Sequence, residues 1–318
     1  MKKYTHAWLA FKAIERLENV DVGNTNQGYV DSLVGWFKSH KDGVMQGAWY
    51  PDSVIKDMAS SHVLKMTPAA GERTFRKLPS SHLLYDSGKD SDMYGRAYTV
   101  DRDTNLPDRC EAIAQSVIDN LKMQEMEPKG SPISPTDNHV AVLLFMLSHY
   151  IADAHMPFHC DSRRFSAGAD LHSHIEGEWD DEVKKYYDID DDNERFFYNP
   201  AGYPLFMNQP DYSDSFLKRV DDELNDRDFL LTWGSGNNNV WDFMSAICEY
   251  SFLLSYDFIP QGNDENTVTK ANWQSLPNQK GNFEDFSVIA ISDAIDSIAK
   301  VWLRIWRRYI KWEMEQRD

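Results

Sequence analysis

Cysteine is scarce in this chain. Only Cys110, Cys160 and Cys248 occur in 318 residues, and an odd, sparse set is no disulfide framework. That excludes a small disulfide-stapled domain and favours a reducing compartment. Long hydrophobic runs are missing too: nothing approaches the roughly 18 apolar residues of a membrane span. The opening MKKYTHAWLAFKAIERLENV has two leading lysines but no clean apolar stretch, because Lys12, Glu15 and Arg16 interrupt it. It reads as an amphipathic helix and not as a secretion signal. The expectation is a cytoplasmic protein by default, or a secreted or periplasmic one if a signal was removed ahead of this numbering. Positive charge is in deficit, with 33 basic against 51 acidic residues and a net charge of -18. A field of that sign repels polyanions at long range, and duplex affinity rests on many Lys and Arg contacts, so duplex DNA is not expected as a partner. Phosphate esters are not excluded, because bound divalent metals reverse the sign locally. There is no Gly-rich phosphate loop and no G-x-S-x-G nucleophile elbow.

What the chain does have is core-forming material and a helical period. Hydrophobic residues make up 42 % of it, with 10 Trp, enough for one large packed core. Patterns of period 3.6 dominate and strand-like alternation is rare. Helices are expected near 5–19, 52–60, 108–125, 137–155, 171–187, 214–224, 239–257 and 284–315. Polar stretches at 20–30, 65–106, 126–136, 189–212 and 259–281 separate them. The segment 137–155 is apolar on nearly every face, which predicts a buried helix. The last helix has a core stripe from Ile289 to Trp312, beside a basic run of Arg304, Arg307, Arg308 and Lys311 that reads as a solvated face.

Five of the ten histidines fall between residues 149 and 174. His149 and Asp153 are four apart and share one helix face on an otherwise apolar helix. A buried unpaired carboxylate costs several kcal/mol, so Asp153 needs a cation. A metal shared with His149 supplies one, and a plain His–Asp hydrogen bond is the competing account. Pro157 breaks the helix and lets the chain return His159 towards Asp153. His155 is expected as a supporting donor or a surface residue. In LHSHIEGEWDDE, His172 and Glu176 form one i, i+4 pair. His174 and Glu178 form another on a different face, expected to be solvated. His-x3-Glu is a good zinc chelate, since both side chains are zinc ligands.

The spacing His149-x3-Asp153-x5-His159, followed by His172-x3-Glu176, resembles the superfamily of zinc-dependent phospholipases C and single-strand-specific nucleases. The resemblance covers the metal-bearing elements of roughly residues 1–180. It implies an all-α, single-domain multi-helix fold over 1–318 with a trinuclear zinc cluster. The stretch 181–235 reads either as a family-variable insertion rimming the pocket or as an acidic solubilising loop with a few anchoring aromatics. A metal-binding His6 at the start of the first helix, with Thr5 as its N-cap, and Asp52 in GAWYPDSV are implied by the resemblance as well. A further histidine is implied after Asp52, for which His62 is preferred over His82. Carried over, up to three Zn2+ would be held by Asp52, His62, His149 and Asp153; by His159, His172 and Glu176; and by His6, Asp153 and the backbone of Met1. The resemblance also implies that Asp52 doubles as catalytic base or water-orienting group. Met1 stands where family members usually have Trp, but backbone coordination needs no Trp side chain. Glu176 and the short His159–His172 spacing look phospholipase-like, whereas Asp153-x-His155 looks nuclease-like. The expected substrate is therefore a phosphate ester, either a phospholipid or other small phosphodiester, or single-stranded nucleic acid. A zinc-stabilised protein without turnover is the alternative from another class.

Overall fold

The computed structural model describes residues 1–68, 98–100, 104–128, 130–165, 171–229, 239–264 and 267–317. Over these residues the apolar periodicity condenses into helices. They are α1 (Lys3–Asn19), α2 (Asn24–His40), α3 (Val44–Tyr50), α4 (Leu106–Met126), α5 (Asp137–Ala154), the short turn α6 (Pro157–Cys160), α7 (Leu171–Tyr186), α8 (Phe216–Asp226), α9 (Val240–Phe258) and α10 (Phe283–Arg317). Strands are confined to two small antiparallel ladders, β1 (Met66–Pro68) with β2 (Tyr98–Val100), and β3 (Ile189–Asp190) with β4 (Arg195–Phe196). The fold is all-α, as the periodicity implied.

Helix α5 is the axis of the molecule. Thr136 caps it, accepting the His139 N–H at 3.2 Å, which satisfies one of the orphan donors of a first turn. With no polar face to turn outwards, it is enclosed by α1, α2, α3, α4, α9 and α10. Its closest neighbour is α3, and Gly47 makes that approach possible. A Cβ there would collide with the Cβ of Phe145 and sit 3.0 Å from the carbonyl of Val142. Across α5 the aromatic stripe of α10 closes the core. Trp302 is fully buried, lies against Phe37 and Phe145, and donates its indole N–H to the Leu144 carbonyl at 2.9 Å. One contiguous hydrophobic cluster runs from Met1 to Tyr309.

Two elements differ from the sequence expectation. Residues 20–30 were assigned to a polar connection, but α2 begins at Asn24. Its Asn, Gly and Ser content is poor in helix formers. It is held instead by burial of Val30, Leu33, Val34 and Phe37, one stripe at i, i+3, i+4, i+7. The helix expected at 52–60 lies earlier, at Val44–Tyr50, and runs into a wide turn over Pro51–Ile55 that Lys56 ends in the left-handed region at φ 50. Pro51 has no N–H to donate to the helical ladder, and the register slips there. A 3-10 turn, Ala59–His62, then carries His62. His82 lies outside the described residues.

Candidate metal centre

The helix starts converge at the C-terminal end of α5. Asp153, buried in its last turn, is the hub. Its Oδ2 lies 2.8 Å from His62 Nδ1 and 3.2 Å from His149 Nε2. Its Oδ1 lies 3.3 Å from the Met1 amine and 3.5 Å from both His6 Nε2 and His159 Nδ1. Around Glu176, the Oε1 atom meets the Met1 amine at 2.7 Å, His172 Nε2 at 2.8 Å and His159 Nε2 at 3.5 Å. Asp52 stands at the edge, with Oδ1 3.6 Å from His149 Nε2 and 3.8 Å from His62 Nε2. Its side chain is 35 % exposed, against 2 % for Asp153 and 13 % for Glu176. The structure thus brings together all nine groups that the sequence nominated.

Each is delivered by a local feature. Pro157 starts a new turn after α5, and the His159 N–H bonds the Met156 carbonyl at 2.8 Å, which returns the imidazole to Asp153. His172 and Glu176 share one face of α7. The His62 ring lies 5.1 Å from the Tyr150 ring, whose hydroxyl donates to Asp57 at 2.6 Å, and Asp57 pairs with Arg109 at 2.9 Å. The ring of His6 stacks on His149 with centroids 3.9 Å apart.

The imidazoles divide: burial disfavours charge on His62, but the Asp153 carboxylate overcomes it and raises His62 above the ordinary histidine range, whereas His6 and His159 go the other way. Burial drives His6 well below the ordinary histidine range and His159 down to about 4. Burial opposes the charge on Asp153, but the His149 imidazole, the Met1 amine and His159 overcome it and hold the carboxyl well below its usual range. Glu176 is depressed against its own desolvation by the Met1 amine and by hydrogen bonds from His159 and His172. Both ring nitrogens of His6, and Nδ1 of His159, are buried without a hydrogen-bond partner among the described residues. Buried polar atoms are normally satisfied. Neutral imidazole lone pairs left unused beside carboxylates are the donor set that zinc takes. Among the described residues, three sets have donor atoms mutually within 4.8 Å: His62, His149 and Asp153; His159, His172 and Glu176; and His6, Asp52 and His149. The first two match the carried-over sites, with Asp52 peripheral in the first. The third groups His6 with Asp52 and His149 rather than with Met1, while Met1 faces Asp153 and Glu176.

The chain shares its fold with two clostridial alpha-toxins. Alpha-toxin of Clostridium perfringens from an avian strain superposes with a TM-score of 0.51 at 13 % identity, over 96 % of this chain and 63 % of the toxin chain. Alpha toxin of Clostridium absonum gives 0.51 at 14 % identity, over 96 % and 65 %. The chain therefore spans less than two thirds of either toxin chain's length. No protein-family model and no curated protein matches the sequence. No helix among the described residues is long and apolar enough to cross a membrane.

Of the two roles expected for His155, the surface one fails: it is buried, its Nε2 lies 2.9 Å from Ser297 Oγ, and burial with Arg227 and Lys300 nearby lowers it to about 3. Other supporting groups lie outside the motifs. The Ala48 carbonyl takes His149 Nδ1 at 2.8 Å, a contact no side-chain pattern encodes. Thr5 is not the N-cap. Helix α1 starts earlier, and its first turn is capped by Asp180 of α7. The Asp180 Oδ1 atom accepts the N–H groups of Tyr4 and Thr5 at 2.9 and 3.0 Å and the Thr5 hydroxyl at 3.3 Å. The signal was present, because Asp180 continues the His172, Glu176 spacing by one more turn. His174 and Glu178 are partly exposed on another face. The region 181–235 contributes Asn193, Glu194, Arg195 and Tyr198 to a cavity of about 330 Å3 against Trp49 and Ser53, the residues flanking the Asp52 turn. Phe196 from the same region is buried against Tyr4 and Phe11.

Proposed function

We propose that this chain is a zinc-dependent phosphoesterase that hydrolyses phosphodiester bonds of a phospholipid or another small phosphodiester. The observation that carries this reading is the set of buried imidazole nitrogens without a hydrogen-bond partner among the described residues, both of His6 and Nδ1 of His159, lodged beside the depressed carboxylates Asp153 and Glu176. The motif resemblance and the toxin fold support it. His62, His149, Asp153 and Asp52 would hold one ion and His159, His172 and Glu176 a second. His6, Asp153 and the Met1 backbone would hold a third. Bound zinc supplies Lewis acidity towards phosphoryl oxygens and water.

The chain's own residues do the rest. Asp153, at the junction of the sets, fixes the separation of the donors. Asp52 is the most exposed carboxylate of the cluster and would orient an attacking water and take its proton. Burial of His6, His149, Asp153 and His159 excludes bulk solvent there and strengthens each electrostatic contact. A single-strand substrate needs a basic groove with stacking platforms, and the net charge of -18 favours the lipid or small diester.

Metal analysis with parallel assays on phosphatidylcholine, single-stranded DNA and a chromogenic phosphodiester tests the proposal. Close to three zinc per chain with turnover of the lipid or the chromogenic diester is expected. Turnover of DNA alone makes the chain a nuclease. Inactivity on all three with zinc fully bound rejects the enzyme and leaves a zinc-stabilised binding protein, whose sites would be closed by protein ligands.

A further inference from the structure

Helix α10 carries Arg304, Arg307, Arg308 and Lys311 within two turns. The pairs 304–307, 304–308, 307–311 and 308–311 all fall at i, i+3 or i, i+4, where like charges disfavour a helix. In the structure these side chains do not simply fan into solvent. They line one cavity of about 610 Å3, completed by Gln115 of α4 and by Asn239 at the start of α9. Among the described residues, no carboxylate oxygen comes within 4.0 Å of the charged nitrogens of Arg307, Arg308 or Lys311. Nε of Arg307 is buried and has no hydrogen-bond acceptor, while its guanidinium sits 5.7 Å from the Tyr29 ring. Burial, with Arg308 and Arg307 adjoining, pulls the Arg304 guanidinium down to about 10. Glu111, one turn before Gln115, is already paired: its Oε1 accepts the Gln115 side-chain N–H at 2.5 Å. Its Oε2 accepts the Val240 and Trp241 N–H groups at 2.6 and 3.1 Å.

A concave set of clustered cations is unfavourable by itself and becomes favourable around an anion. Guanidinium forks match phosphate oxygens in pairs, the Asn239 amide, which among the described residues uses only its Oδ1 at the start of α9, adds a neutral donor, and the volume is that of a small-molecule site. We propose that this cavity is a second, non-catalytic anion site that takes a phosphate group, carried by a lipid headgroup or by a free phosphate. It is separate from the metal centre. Ser251 of α9 donates to the Ala154 carbonyl beside Asp153, and Asn239 lies twelve residues earlier, ~18 Å along the helix. The proposal therefore stands or falls independently of the phosphoesterase reading.

The test uses the full zinc-loaded chain and the variant R308Q/K311Q. Inorganic phosphate binding is followed by 31P NMR, and flotation is measured with phosphatidylcholine vesicles with and without phosphatidic acid. Phosphate retained by the variant reports the metal centre, and the part lost reports the cavity. At least a tenfold weakening of the cavity component, in either arm, is expected. The arm that responds identifies the source of the phosphate. The wild-type response should also weaken as salt is raised, since partly exposed charges are screened. Should R308Q/K311Q fold poorly, K311Q alone, on an exposed side chain, is expected to show a severalfold effect. Equal phosphate stoichiometry and equal flotation for wild type and variants would overturn the proposal.

Discussion

Asp180→Ala isolates the link between α7 and the start of α1. Asp180 Oδ1 satisfies two first-turn N–H groups and the Thr5 hydroxyl, and Lys2, at the N-cap position, provides no side-chain cap. Loss of a capping acceptor costs ~0.5–2 kcal/mol, and a buried donor left unsatisfied costs ~1–3 kcal/mol. Some of the freed N–H groups will find water, so a total of about 3 kcal/mol is expected. At ~2.1 cal/mol/K of unfolding entropy per residue, a chain of this length unfolds with about 0.7 kcal/mol/K, and Tm should fall by about 4–5 °C. Asp180→Asn keeps an oxygen acceptor and forfeits chiefly the charge at the helix N-terminus, worth ~0.3–1 kcal/mol, so its Tm should stay within about 2 °C. Because Met1 and His6 ride on the same first turn, the alanine variant should also release the zinc held by that turn first, with ~10–100-fold lower affinity, while the His159, His172, Glu176 set keeps its ion. Calorimetry and metal titration read the two effects. An alanine variant with wild-type Tm, or one that loses all zinc sets equally, would refute the reasoning.

Asp153→Asn removes the charge shared by five neighbouring groups. Zinc stoichiometry should fall by at least one per chain, affinity at the remaining sites should drop by ~10-fold or more, and phosphodiester turnover should fall with it, as measured by metal analysis and rate on the chromogenic diester. Burial lowers the pKa of the Met1 amine, but Glu176 and Asp153 more than reverse this and raise it to about 10. Below that pH an ion taking this nitrogen must displace a proton. Affinity at this site should therefore rise about tenfold per pH unit between pH 6 and 9, and chelator competition on native and N-terminally acetylated chains should show this slope only in the native one. Gly47→Ala forces a Cβ into Phe145 and the α5 backbone. Overpacking of this kind costs ~1–3 kcal/mol, and it should also shift the Ala48 carbonyl that orients His149, so urea unfolding and zinc affinity should weaken together. Unchanged zinc affinity in a destabilised variant would show that the carbonyl does not orient the ligand.

The separation between what the chain spells out and what folding adds is visible in particular residues. Spacing along one helix is a local property, so His149 with Asp153, and His172 with Glu176, were legible as face-sharing pairs, and Pro157 announced the return of His159. The apolar character of residues 137–155 and the aromatic stripe of α10 likewise foretold a helical core. Helix α2 stayed hidden because tertiary burial of Val30, Leu33 and Phe37, and not propensity, holds it together. Asp180 was unassigned because its partners lie 175 and 176 residues away. The Ala48 carbonyl carries no side-chain signature at all. Arg307, Arg308 and Lys311 read as a solvated face in the sequence; only the packing of α4 and α9 alongside shows that they share one open cavity with Gln115 and Asn239. Pattern within an element is written in the sequence, but which distant groups share a cation, a cap or a cavity depends on how the helices cross, and only the packed chain decides that.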